Sequence, residues 1–75
     1  MSNEELFEKM RIYGITPYNL RILQLYAKGG SEKTVASDLG TSITAVNMVK
    51  SRLKKRMGCE STLQMFIKLV KEGII

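Results

Sequence analysis

The sequence predicts an all-α domain in which a short extra N-terminal helix precedes a unit of four helices. Two observations support this fold class. Apolar residues recur at spacings of three and four along the chain, which is the period of a helix. Each such segment opens near a Ser, Thr or Asn and closes on a Gly, the usual helix start and stop signals. We therefore expect an N-terminal helical extension over residues 1–14 and a four-helix domain over residues 15–75.

Composition narrows the possible functions. The chain has 75 residues, a single cysteine, no histidine and a formal net charge of +5. One cysteine cannot form an internal disulfide, which suits a cytoplasmic protein. The lack of thiolate and imidazole ligands argues against a metal site, and nucleophile–histidine catalysis is excluded. We expect no enzyme and no cofactor, because no constellation of reactive side chains is visible. There is no long apolar run, so we also expect no membrane span. The positive charge favours a polyanionic partner such as nucleic acid.

Capping residues define the first two helices. Residues 3–13 form a short acidic helix, with Ser2 or Asn3 at its N-terminus. The second helix begins at Thr16–Pro17, because a proline in the first turn loses no hydrogen bond there. The glycines expected to end these helices are Gly14 and the pair Gly29–Gly30.

The next two helices predict a helix-turn-helix motif. Ser31 caps a short helix over about residues 32–39, and Gly40 ends it. Ser42 then caps a longer helix over residues 43–57. Two helices joined by a tight turn with glycine have the geometry of this motif, whose second helix enters the major groove of DNA.

Helix 43–57 has two contrasting faces when residues are placed at 100° per step. The apolar face consists of Val46, Val49, Leu53 and Met57. The opposite face is polar and cationic around one methionine. Its members are Thr44, Asn47, Met48, Ser51, Lys54 and Lys55. The first face requires a core, and the second is suited to the major groove.

The last helix begins at Ser61 or Thr62 and runs to Glu72. Its predicted apolar stripe consists of Leu63, Phe66, Ile67 and Val70, and it is broadened by Met65 and Leu69. Part of this stripe is expected in the core. The stripe is wider than one contact needs, and the chain ends in Ile74–Ile75. Because bare apolar surface is unfavourable in water, we expect this tail to pack on its own domain or on a second copy.

Four stretches, in register and without gaps, carry a family resemblance. They are Ile15-Thr16-Pro17 with Leu20, Ile22 and Leu23; Ala27-Lys28-Gly29 with Ser31, Lys33, Val35 and Ala36; Leu39-Gly40 with Ser42 and Val46; and Leu53 to Gly58. Together they resemble the LuxR/GerE-type helix-turn-helix domain of many bacterial response regulators and quorum-sensing regulators. The resemblance implies transcriptional regulation in bacteria or their phages. It also implies four helices, with the third in the major groove and the last often used for dimerisation.

The resemblance also implies which side chains contact double-stranded DNA. Base edges would be contacted by Asn47, Met48 and Ser51. These residue types fit the task, since an amide can pair with adenine and a methionine can touch a thymine methyl group. The residues expected at phosphates are Ser31, Lys33, Thr44, Lys50, Arg52, Lys54 and Lys55. The residues expected in a homodimer contact are Leu63, Phe66, Ile67, Val70 and Ile74.

The chain departs from the family pattern at several positions. Family members usually carry a threonine where Ala45 stands and a basic residue where Asn47 stands, so phosphate anchoring should be weaker here. An acidic residue is usual at Asn19 and frequent at Arg21, and a histidine is common at Val49. Most members carry another domain ahead of this one. We therefore expect a small stand-alone member or an excised domain.

Two functions remain open from the sequence. The leading hypothesis is a sequence-specific DNA-binding transcriptional regulator that acts as a dimer on a two-fold site. The alternative is an adaptor or anti-activator of the same fold that binds another regulator or RNA polymerase. It is motivated by Ala45, Asn47, the acidic first helix and the apolar tail. A third reading, a sigma-factor-like region, fits the segments around Ile15 and Gly29 less well.

Overall fold

A computed structural model describes residues 3–75, and the regular structure in this range is entirely helical. The helices are α1 (Asn3–Tyr13), α2 (Pro17–Ala27), α3 (Glu32–Asp38), α4 (Ile43–Arg56) and α5 (Thr62–Lys71). The predicted all-α fold is confirmed, and the helix ends agree closely with the predicted ones. Ser2, one of the two predicted caps of α1, lies outside the described residues.

A hydroxyl side chain caps each of the helices α2 to α5. The capping residues are Thr16, Ser31, Ser42 and Ser61. Each hydroxyl accepts the backbone N–H of the residue three positions later; for Ser42 and Ala45 the distance is 3.0 Å. Such a bond satisfies an otherwise unpaired N–H and typically stabilises a helix by about 1 kcal/mol. The caps therefore fix where each helix begins.

A glycine with positive φ follows the end of every described helix. In the turn between α3 and α4, Gly40 has a φ of 64°, a conformation that residues with a side chain rarely adopt. The next residue, Thr41, donates its N–H to the carbonyl of Ala36 at 2.9 Å. This bond closes the end of α3 and lets α4 start only a few residues later. The predicted tight turn is thus confirmed.

Two buried clusters meet along α4. The large cluster contains Met10, Ile15, Leu23, Leu53, Met57, Met65, Leu69 and Ile74. The small cluster contains Ile22, Val35, Ala36 and Val46. Val49 is partly buried and packs against both clusters. The predicted apolar face of α4 is therefore confirmed as the face that holds this helix in the molecule.

Helix α5 buries only part of its predicted apolar stripe. Met65 and Leu69 are both 0% exposed, whereas Phe66 is only partly buried and packs against the large cluster. The other members of the predicted stripe are exposed, at 69% for Leu63, 46% for Ile67 and 61% for Val70. The prediction that part of this stripe lies in the core is confirmed at Phe66, while the other three members face outward. Apolar residues lie on two sides of α5, so their spacing alone could not identify the inner side.

The C-terminal tail folds back onto its own domain. Ile74 is 6% exposed within the large cluster, and its backbone N–H donates to the carbonyl of Leu69 at 2.9 Å. Of the two predicted alternatives for the tail, the structure has the intramolecular one. Because Ile74 is buried by its own chain, it is not displayed for contact with a second copy.

Helix α1 contacts the helical unit near the ends of α5 and α4. Met10 lies in the large cluster, and the hydroxyl of Tyr13 donates to Glu72 at 2.8 Å just beyond α5. Near the end of α4, Nε of Arg56 donates to the carbonyl of Ile12 at 3.2 Å. The N-terminal extension therefore packs on the helical unit, while the domain boundary at residue 14 stays a prediction.

Candidate nucleic-acid interface

The outward face of α4 forms a shallow depression of about 470 Å³. It is lined by Thr44, Asn47, Met48, Ser51, Arg52 and Lys55. Met48 is 55% exposed, so its apolar side chain is available to a partner. All six lining residues are among those that the sequence assigned to DNA contacts. The structure thus brings the three predicted base readers and three of the predicted phosphate contacts together.

Packing of the opposite side of α4 in the core fixes the orientation of this face. Val46 and Leu53 are 0% and 2% exposed on the opposite side of the helix. Val46 belongs to the small cluster with α3, and Leu53 to the large cluster with α5. Because both anchors are buried, α4 cannot rotate about its axis without opening the core. A rigid, outward-facing helix is what groove recognition requires.

Two of the residues that line the depression are exposed cations. Arg52 and Lys55 are exposed on α4 itself, and α4 carries no acidic residue. On α3, Lys33 is exposed, and so is Ser31, whose hydroxyl caps the helix through the N–H of Thr34 at 3.2 Å. These residues can reach a polyanion without losing a contact inside the fold, apart from the capping bond of Ser31.

Lys50 is not part of this exposed surface. Its side chain is 14% exposed, and Nζ donates to Oε1 of Glu32 at 2.9 Å. Nζ also lies 4.4 Å from the centroid of the Tyr26 ring. Burial lowers the pKa of Lys50, but the bonds to Glu32 and Tyr26 outweigh it, so the pKa is raised and the ammonium stays charged. Lys50 therefore ties α4 to α2 and α3, and its predicted phosphate contact does not fit its position.

Asn47 is held by the same carboxylate. Its side chain is half-buried, and in the amide orientation that satisfies both groups Nδ2 donates to Glu32 Oε1 at 2.8 Å and Oε2 at 3.3 Å. The bonds from Lys50 and Asn47 hold the pKa of Glu32 below its ordinary value. The amide that the sequence assigned to a base edge thus already has a partner within the protein.

The remaining basic residues of α4 lie at the edge of the face. Lys54 is half-buried and does not line the depression. Arg56 is exposed but bonds to the end of α1, as described above. Of the predicted phosphate contacts on α4, Thr44, Arg52 and Lys55 are the freely displayed ones.

Glu32 is the residue that sequence reasoning missed. It lies 18 positions before Lys50 and 15 before Asn47, so no helical spacing relates it to them. The only signal was indirect. At 100° per residue, Lys50 lies about 120° from Thr44 around the helix, nearer to the core face than to the polar face. A cation at that position needs a partner within the fold.

Comparison with known proteins is consistent with this geometry. Residues 14–69 of the 75-residue chain match the family described as bacterial regulatory proteins, luxR family. The match covers more than half of the chain and includes α2, α3, α4 and most of α5. The family is one of DNA-binding helix-turn-helix regulators and is not an enzyme family.

Neither the curated proteins nor the solved structures give a significant match. Among the described residues, no helix is both long enough and apolar enough to cross a membrane.

Proposed function

We propose that this chain, which belongs to the LuxR family of bacterial regulatory proteins, is a sequence-specific DNA-binding transcriptional regulator that inserts α4 into the major groove. One observation carries the proposal. Six polar, cationic and methionine side chains converge on one outward depression of a helix whose other face is locked in the core. Its site of action in this proposal is the bacterial cytoplasm.

Each displayed side chain has a role in this proposal. Met48, which is exposed, contacts the methyl group of a thymine, and the short hydroxyls of Thr44 and Ser51 allow close approach to the base edges. Arg52 and Lys55 bind phosphates on either side of the groove and position the helix. Two of the three readers, Thr44 and Ser51, are small, so specificity rests on close approach as much as on hydrogen bonds.

A homodimer on a two-fold site completes the proposal. The exposed apolar residues of α5, which we call the α5 strip, are Leu63, Ile67 and Val70. They lie at spacings of four and three, so they share one side of the helix. A second copy is the occupant that fits a regulator bound to two half-sites. Phe66 and Ile74 support the strip from within the fold.

The test of groove binding is the salt dependence of the affinity. Arg52→Ala and Lys55→Ala should each weaken binding to any duplex and reduce the slope of log K against log salt by about one. Binding is measured by fluorescence anisotropy between low and moderate salt. Lys71→Ala is the matched control, because Lys71 is an exposed lysine on α5. If both α4 variants behave like the control, α4 does not bind the phosphate backbone.

A second candidate is an adaptor or anti-activator that binds another regulator or RNA polymerase. It is favoured by exposed apolar side chains outside the family match, since Phe7 and Ile12 of α1 are 64% and 55% exposed. A pull-down from host lysate separates the two functions when it is set beside a mobility shift on genomic fragments. An adaptor retains a protein partner and loses it in Phe7→Ser, whereas a regulator shifts DNA whether or not Phe7 is present.

A further inference from the structure

One acidic side chain borders the proposed DNA-binding face. Glu32 is in the first turn of α3, and its side chain is 44% exposed. Its carboxylate accepts from Nζ of Lys50 at 2.9 Å and from Nδ2 of Asn47 at 2.8 Å. Asn47 lines the depression, so the negative charge lies next to the residues that would meet DNA.

The carboxylate has two effects on that face. An asparagine reads adenine through a paired contact. Its amide N–H donates to N7, and its amide oxygen accepts a hydrogen bond from the N6 amino group. Asn47 must leave a charge-assisted bond before its amide can do this. In addition, Glu32 neutralises Lys50, so this cation adds little to the attraction of phosphates. Both effects oppose DNA binding.

We propose that Glu32 limits the affinity of this protein for DNA and determines its base preference by holding Asn47 and Lys50 within the fold. The inference rests on the proposed function and specifies one part of it. Base reading then falls to Met48, Ser51 and Thr44, while Asn47 serves as a positioning residue between α3 and α4.

The first experiment compares Glu32→Gln with a charge-matched control. Glutamine keeps the shape of the side chain and an oxygen that can accept from Lys50, but it removes the charge. Glu4→Gln makes the same charge change at an exposed site in the first turn of α1. We expect Glu32→Gln to raise the affinity for both a selected and a scrambled duplex by about three- to tenfold, and to steepen the salt slope by about one. Glu4→Gln should change the affinity less than about twofold.

The second experiment removes the amide in both backgrounds. Asn47→Ala should change the wild-type affinity for the selected duplex less than about twofold. The same substitution should lower this affinity further when Glu32 is already glutamine. The wild-type arm requires no change at Glu32, so it decides the question even if Glu32→Gln unfolds. Circular dichroism melts establish which variants are folded.

Two results would overturn the inference. One is that Glu32→Gln and Glu4→Gln have the same affinity and salt slope. The other is that Asn47→Ala in the wild type already costs about tenfold at one base position, which is the cost of a lost base contact. Failure of the proposed function looks different, because the wild type would then bind the selected and scrambled duplexes equally.

Discussion

At the residue scale, Tyr13 connects the end of α1 to the end of α5 through a polar contact. Its hydroxyl donates to Oε1 of Glu72 at 2.8 Å, and Nζ of Lys68 lies 5.4 Å from its ring centroid. Lys68 also donates to the carbonyl of Met57 at 3.1 Å, where a cation complements the C-terminus of α4. Burial, followed by the bond to the Glu72 carboxylate, raises the pKa of Tyr13 to about 12.

This raised pKa predicts a loss of stability in strong alkali. The ordinary pKa of the phenol is 10.0, so its contribution is complete below pH 10 and is lost as the pH rises through about 12. Tyr13→Phe should therefore show a smaller fall in the free energy of unfolding across this range than the wild type. Urea unfolding at several pH values measures it. Identical curves for Tyr13→Phe and the wild type would contradict the assignment.

The sequence predicts the exposure of a side chain best where it follows from position on one helix. Met48 and Ser51 are displayed, because a helix of known phase with a buried face behind it must show them. The contacts of Lys50 and Asn47 with Glu32 could not be predicted, because this partner comes from another helix. The net charge of the basic segment was readable from the sequence, but which of its charges are already neutralised was not.

At the scale of elements, the connection between α2 and α3 is constrained by space. A Cβ atom at Gly30 would lie 2.9 Å from the backbone oxygen of Leu25 and 3.2 Å from Cγ2 of Val35. Val35 is 1% exposed in the small cluster that holds α3 against α4. The sequence identified this glycine as a helix stop, but the structure shows that it also permits close packing.

Gly30→Ala should destabilise the protein by about 1–3 kcal/mol, because the added methyl group must displace backbone or a packed valine. Chemical denaturation measures the loss. Lys28→Ala is a suitable control, since Lys28 is exposed in the same connection and its change should be within about 0.5 kcal/mol. An unchanged midpoint for Gly30→Ala would show that the connection can relax.

Helix α5 illustrates what periodicity can and cannot predict. Its existence and its start at Ser61 follow from local signals, because a cap and a run of apolar residues define them. Its inner face depends on which side meets α4 and α1, and both sides are apolar. The sequence could say that part of the apolar stripe is buried, but not that Leu63, Ile67 and Val70 are the exposed part.

The α5 strip predicts self-association. Leu63→Gln combined with Val70→Gln should shift the protein from dimer to monomer. Because both side chains are exposed, the melting temperature of the monomer itself should be nearly unchanged. Sedimentation equilibrium measures the change. Phe7→Gln is the control, as Phe7 is an equally exposed apolar residue on α1. If the wild type is monomeric at high concentration, the strip does not form a homodimer.

At the scale of the whole molecule, α4 is the helix on which both clusters converge. Val46 belongs to the small cluster, Leu53 and Met57 belong to the large cluster, and Val49 packs on both. The packing of α1, α2, α3 and α5 therefore determines how α4 faces outward. The fold class, the caps and this inner face were predictable from the sequence, because each follows from local chemistry. The arrangement of Glu32 beside α4 was not, because it depends on how the helices pack.

Selection of bound duplexes from a random pool tests the central claim, that α4 reads bases in the major groove, most directly. The wild type and Met48→Ala are selected in parallel and the enriched duplexes are sequenced. We expect the wild type to enrich a two-fold site, and Met48→Ala to lose the preference for thymine at one position of each half-site while the rest of the site is kept. A pool that stays random, or an unchanged site with Met48→Ala, would contradict the account.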